Sequence, residues 1–181
     1  MNRAVYYIPS GFVVQSPPMT AQPVLDEGTV AFLQGAVSIS VASRGAGGLP
    51  VLVRCSGCRV APGRGRVTLY LSRSKSASVI EAIGATGAVA AVFSLPSSHR
   101  TVQLKGADAE IGAPAAGDRE MVERYIEAFA REIEPGGYSA AMAGALLWID
   151  PDDLATLSFT PSAAFSQTPG PGAGEPLRPA P

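Results

Sequence analysis

The 181-residue sequence is short of the side chains that most often carry acid–base and metal chemistry: it has one histidine, His99, and two cysteines, Cys55 and Cys58. A structural zinc takes four ligands, so no metal site is expected from these three residues. A hydrolytic triad would have to rest on His99 as its sole imidazole base, and no motif surrounds it. Charge is scarce as well. Charged residues make up 16% of the chain, below the usual level of about a quarter, and fourteen basic against fifteen acidic side chains leave a formal net charge of -1. That balance gives no global attraction for nucleic acid or anionic lipid. The longest apolar stretches, such as 87–93, fall well short of the roughly 18 residues that span a bilayer. Neither the Rossmann glycine fingerprint nor a P-loop follows a strand-like segment, which argues against ATP chemistry.

What is present suits one ordinary packed domain, since 46% of the residues are hydrophobic. Arg3 precedes the apolar Ala4, Val5, Tyr6, Tyr7 and Ile8, but Pro9 interrupts the run and no clear cleavage site follows. A cytoplasmic location is therefore expected. Met19 stands just before the more domain-like sequence, so residues 1–18 read either as an added strand or as an upstream extension. The expected organisation is an N-terminal extension over 1–23, one domain over 24–161, and a tail rich in proline and glycine over 162–181. Within that tail, Ala164, Phe165, Ser166, Gln167 and Thr168 are not typical filler and suit an ordered stretch.

Periodicity gives the elements. A short helix is expected over 25–35, with Asp26 and Glu27 at its positive end and Gly35 as its stop. From 36 to 44, Val37, Ile39 and Val41 alternate with Ser38 and Ser40, the pattern of a half-buried strand. Strand-like runs follow over 51–60 and 66–72, separated by turns rich in glycine and proline, which makes an antiparallel meander. The spacing then predicts a short helix over 76–83 ended by Gly84, strands over 87–95 and 100–111, and a longer helix capped by Asp118. Val122, Tyr125, Ile126, Phe129 and Ile133 line one face of that helix. A further helix is expected over 139–148 and a sixth strand over 154–160. Six strands with few helices give a mostly β, α+β fold, a barrel or sandwich.

Four places invite a functional reading. Cys55 and Cys58 form a C-x-x-C, but inside a strand residues three apart face opposite ways, so two half-buried thiols that neither pair nor share a metal are expected. Asp150, Asp152 and Asp153 lack the spacing of a calcium loop and read as a solvated turn. Arg54, Ser56 and Cys58 fall on one face of the second strand, and a charged side chain there needs the rim or a polar partner. Arg100, Thr101 and Gln103 on the fifth strand pose the same question. The sharpest signal is Ser72, Arg73, Ser74, Lys75 and Ser76, where a strand leads into a helix. Bases in a first helical turn oppose the dipole unless an anion sits there, so this segment suits a phosphate cradle, or else two surface bases on a turn.

Taken in order, these pieces resemble the pyridoxamine 5'-phosphate oxidase-like superfamily, whose members fold as six-stranded antiparallel split β-barrels that bind FMN. The resemblance runs over about 25–165 and is carried by the strand around Arg54, the segment 72–75 leading into a helix, the apolar strand ending at Phe93, and the strand 98–106. It implies that Arg54, Cys55, Ser56 and Gly57 contact the flavin ring and ribityl chain. It implies that Leu71, Ser72, Arg73, Ser74 and Lys75 hold the FMN phosphate. Thr101 or Gln103 would approach the flavin from the other subunit of a homodimer, with the cofactor at the boundary. The phosphate segment here is shorter than is usual in the family. The chain also closes on Glu175, Pro176, Leu177, Arg178, Pro179, Ala180 and Pro181, without the family's terminal tryptophan-bearing strand and arginine, which argues against vitamin B6 oxidation. The implied activity is an FMN-dependent oxidoreductase acting on a small molecule. Two alternatives remain: a non-catalytic flavin- or haem-binding protein on the same fold, and a deazaflavin-dependent reductase.

Overall fold

A computed structural model describes residues 25–177. The expected N-terminal extension lies outside the described residues. Helix α1 is Glu27–Leu33, capped by the Asp26 carboxylate, which accepts from Thr29 N. The strands that follow are β1 Ser38–Arg44, β2 Pro50–Cys55, β3 Cys58–Val60 and β4 Val67–Ser72. Helix α2 is Ala77–Thr86, and it leads to β5 Val89–Ser94, β6 Thr101–Gly106 and β7 Glu110–Gly112. Two helices, α3 Asp118–Ile133 and α4 Ala140–Leu147, precede β8 Leu154–Phe159 and β9 Ala163–Ser166. Among the described residues no helix is long and apolar enough to cross a membrane.

These nine strands form two antiparallel sheets, one in the order β2-β1-β5-β6-β9 and the other β3-β4-β8-β7. The alternation read in 36–44 is realised. Ile39 and Val41 are fully buried, while Ser38 and Ser40 face outward in line with the β5 residues Ser94 and Val92. The core lies between the sheets and is completed by Val79 and Ile83 of α2 and by Tyr125 and Phe129 of α3. Helix α2 packs against β1, β2 and β7, so it touches both sheets.

Six strands were expected and nine are present among the described residues, for three reasons. The run 51–60 breaks at Ser56 and Gly57 into β2 and β3, because here the chain leaves one sheet for the other. Ser56 N donates to Tyr70 O at 2.7 Å and Tyr70 N to Gly57 O at 3.3 Å, so two residues oppose one and the strand bends. Gly57 sits at φ 129°, a conformation open to glycine and strained for other residues. The run 100–111 also breaks after Gly106, and β7 lies in the second sheet. The third addition is β9, which lies in the stretch assigned to the tail and pairs with β6 from Val102↔Ser166 to Lys105↔Ala163. The chain then turns back on β9, with Ser166 N donating to Glu175 O at 2.9 Å and Leu177 N to Ala164 O at 2.9 Å. Helix α2 also outruns its expected stop at Gly84 and closes on Gly87, whose N–H donates to Ile83 O at 2.7 Å. At α3, Gly117 takes the cap position and Asp118 is the first helical residue.

The two sheets approach closely where Gly106 meets Phe159. A Cβ on Gly106 would stand 2.7 Å from Phe159 Cδ2 and 2.9 Å from Thr160 O, and Phe159 is fully buried. Gly106→Ala is therefore expected to destabilise the fold by about 1–3 kcal/mol through overpacking. A urea titration in which the midpoint does not move would refute this close approach.

Candidate functional site

The segment from Ser72 to Ser76 does wrap an anion, and the anion is the chain's own. Ser72 Oγ donates to an Asp153 carboxylate oxygen, and Ser74 Oγ donates to the same oxygen at 2.8 Å. Ser74 N donates to the other oxygen at 2.8 Å, and Arg73 N to the Asp153 backbone carbonyl at 2.8 Å. Hydrogen bonds from Ser72 first, and then from Ser74, hold the Asp153 carboxyl below its ordinary range. The solvated-turn reading of Asp150, Asp152 and Asp153 holds for the exposed Asp150 and Asp152, and Asp153 adds to it the role of holding the loop. Asp150 caps the turn through Asp152 N at 2.9 Å, Asp152 meets Arg119 at 3.3 Å, and Asp153 holds the loop on β4.

The hydroxyls of Ser72 and Ser74 are thus engaged, and the groups left for an external phosphate are others. Arg73 and Lys75 are exposed and form no ion pair among the described residues. Ser76 occupies the N-cap of α2 without capping it, and its fully buried Oγ has no hydrogen-bond partner among the described residues. Two unpaired cations and an orphaned hydroxyl at the positive end of a helix fit a phosphate. Leu71 lies in the core, so its side chain is remote from any ligand held there.

The second-strand candidates separate at the bend. Arg54 is exposed, and its Nη1 donates to Ser38 Oγ at 2.7 Å. Ser56 and Cys58 do not share its face, because the bulge at Gly57 cancels the alternation and turns both inward. Ser56 Oγ donates to Leu147 O at 2.7 Å, a bond that ties the corner to α4. Arg54 lies two residues before, and Ser72 two residues after, the Ser56–Tyr70 hydrogen bond. The end of β2 and the Ser72–Ser76 turn therefore flank one corner of the molecule.

Tyr70, the residue bonded to that bend, is fully buried and is itself held. Its hydroxyl donates to Asp118 Oδ1 at 2.8 Å, Ala115 N donates to Asp118 Oδ2 at 2.8 Å, and Arg59 Nη1 meets Oδ1 at 3.0 Å. Burial first, and then the Asp118 carboxylate, push the Tyr70 phenol above its ordinary range.

Thr101 and Gln103 stand elsewhere. The register sets Arg54, Ser40, Val92, Gln103 and Phe165 in one row across the outer face of the first sheet. Three strand spacings separate Arg54 from Gln103, which is about 14 Å. Thr101 Oγ1 shares a hydrogen bond with Ser94 Oγ at 2.8 Å. Within one chain, neither residue joins the corner that holds Arg54 and Arg73.

Both cysteines are buried in the main core, not half-buried on opposite faces, and both are free thiols. Desolvation pushes Cys55 up to about 12, and burial raises Cys58 as well. A raised folded pKa means that their contribution to stability is intact below the ordinary thiol pKa, and is lost as pH climbs from there toward 12. At pH 8 neither thiol should react with Ellman's reagent until urea unfolds the protein. Stoichiometric labelling of the native protein would contradict their burial.

Two antiparallel sheets joined at a bulged corner, with α2 packed against both, make a mostly antiparallel α+β fold; the expected six-stranded barrel is not closed, because the strands divide between two separate sheets. The chain shares its fold with solved structures at low identity. A variant of HupZ from Group A Streptococcus superposes with a TM-score of 0.50 at 13% identity, over 78% of this chain and 98% of that one. An F420 reductase gives 0.50 at 15% identity, over 77% and 97%. A protein from Clostridium acetobutylicum related to general stress protein 26, of the pyridoxinephosphate oxidase family, gives 0.44 at 18% identity, over 71% and 78%. At these identities the likeness is one of fold. No protein-family model matches the sequence, and no curated protein matches it.

Proposed function

We propose that this protein binds FMN and acts as a flavin-dependent oxidoreductase on a small molecule, as a homodimer with the cofactor at the subunit boundary. The observation that carries the reading is the pair of unpaired cations, Arg73 and Lys75, beside the orphaned Ser76 hydroxyl at the start of α2. These groups would hold the phosphate, while Asp153 keeps the turn in shape through Ser72 and Ser74. Arg54, at the same corner, would donate to the ring or ribityl chain. Gln103 lies about 14 Å from Arg54 along its own sheet, so it would serve the flavin of a second copy. A bound flavin supplies the redox chemistry, and the protein supplies binding, orientation and tuning. No residue of this chain is assigned as acid or base.

A second reading, a deazaflavin cofactor at the same corner, draws support from the likeness to an F420 reductase. One experiment addresses both. The ligand released from purified protein is identified by mass and spectrum, and sedimentation at micromolar concentration follows the flavin absorbance. FMN sedimenting with a dimer, reduced by a nicotinamide donor and reoxidised by an acceptor, is the expected result. A deazaflavin mass would favour the second reading. A monomer with flavin bound would defeat the shared site, and bound flavin without turnover would leave a carrier.

A further inference from the structure

The outer face of the first sheet carries a second feature, at the end away from Arg54. A cleft of about 380 Å3 opens there, lined by Ala42 and Arg44 of β1, Pro50 of β2, Ala90 of β5 and Lys105 of β6. That volume is within the usual range for small-molecule sites, roughly 300–1,000 Å3. Ala42 and Ala90 are direct partners in the sheet, so they make a flat floor with nothing longer than a methyl group rising from it. Pro50, the partner of Arg44, walls one side.

The rim is basic and carries no acid. Lys105 pairs with Ala90 across the strands, and its ammonium is set over the Phe165 ring, 5.0 Å from the centroid. Arg44 lies two residues along β1 from Ala42, on the same outward face. Both side chains are exposed, and neither forms an ion pair among the described residues. Arg54 stands four residues from Pro50 along β2, about 13 Å away, so the cleft is separate from the corner of Arg54 and Arg73.

A flat methyl floor takes the face of a ring, and unpaired cations at its edge take acid groups at the ring's periphery. We propose that this cleft is a binding site for a planar aromatic anion, with the ring on Ala42 and Ala90 and its acid group held by Arg44 and Lys105. The cleft shares its sheet face with Gln103, two residues from Lys105, and uses none of the flavin contacts.

The test uses the purified protein and 8-anilinonaphthalene-1-sulfonate, followed by fluorescence. Its uncharged counterpart N-phenyl-1-naphthylamine reports the apolar contribution alone. Arg44→Gln with Lys105→Gln should raise the dissociation constant of the sulfonate tenfold or more, as expected for about one charge-assisted contact, and leave that of the amine nearly unchanged. Ala90→Leu, which fills the floor and alters no charge, should weaken both. Thermal melts equal to wild type confirm that these surface changes leave the fold intact. Leu146→Gln addresses a separate exposed apolar surface, on α4, where Leu146 is 50% and Met142 53% exposed. Loss of binding in Leu146→Gln, no effect of the double glutamine variant, or no binding at all would overturn the proposal. Displacement of the sulfonate by one equivalent of FMN would merge the cleft with the flavin site, and would overturn it as a separate one.

Discussion

Replacing Arg73 and Lys75 together by alanine is expected to lower the affinity for FMN about a hundredfold or more while leaving that for riboflavin nearly unchanged. Each cation would give the phosphate a charge-assisted hydrogen bond worth roughly 1.5–3 kcal/mol, and about 1.4 kcal/mol is a factor of ten. Riboflavin has the same ring and ribityl chain without the phosphate, so it reads the rest of the site. Neither cation is committed to an ion pair among the described residues, and both are exposed, so their removal should not disturb the fold. Arg54→Ala serves as the contrast. Its side chain lies at the same corner, and its loss should weaken both ligands by about the same factor. Calorimetric titrations decide the matter. If the ratio of FMN to riboflavin affinity in the double variant equals that of wild type, the phosphate is held elsewhere, and the turn serves Asp153 alone.

The largest loss of stability is expected at Asp118. Its side chain is 2% exposed and carries three contacts at once, from Tyr70, Ala115 and Arg59. Asp118→Ala leaves the fully buried Tyr70 hydroxyl and the Ala115 amide without an acceptor. The Arg59 side chain is 48% exposed and can return to water, so less of the loss falls on it. Breaking a buried charged network by removing one member costs about 3–5 kcal/mol, and the lower end suits this partly wet arrangement. For a chain of this size about 3 kcal/mol corresponds to a fall of roughly 6–12 °C in Tm. Tyr70→Phe removes the donor and leaves the carboxylate its other two partners, so about 1 kcal/mol is expected. Asp152, exposed and paired only with Arg119, provides the surface control. A melt in which Asp118→Ala falls no further than Asp152→Ala would show that the network contributes little. The effect should also reach the corner, because Ser56 N hydrogen-bonds the Tyr70 carbonyl. Arg54 is two residues away.

How much of this was legible beforehand depends on the range of the interaction involved. The buried face of β1 follows from alternation, since Val37, Ile39 and Val41 carry their own record of which side is buried. The inner face of α3, with Val122, Tyr125 and Phe129, follows from helical spacing in the same way. The unusual chemistry of 72–76 was also visible, because bases at a helix start conflict with the local dipole whatever the rest of the chain does. Even so, the sequence could not name the anion that the turn would find.

Only the tertiary structure decided that. Asp153 is 81 residues from Ser72, and nothing in the composition of Asp150–Asp153 distinguishes a carboxylate that closes a cradle from one that faces water. The break at Ser56 and Gly57 is of the same kind. A strand continues until the sheet it belongs to must turn, and Tyr70 on a later strand determines where that happens. The burial of Cys58 follows from that bend, which turns a residue assigned to the opposite face into the core. β9 forms because β6 offers an unpaired edge to a segment whose prolines and glycines, taken locally, favour a loop. Periodicity records what each residue does relative to its neighbours in the chain. Register, sheet exchange and the partner of a buried or charged group are set by residues distant in sequence, and folding alone brings them together.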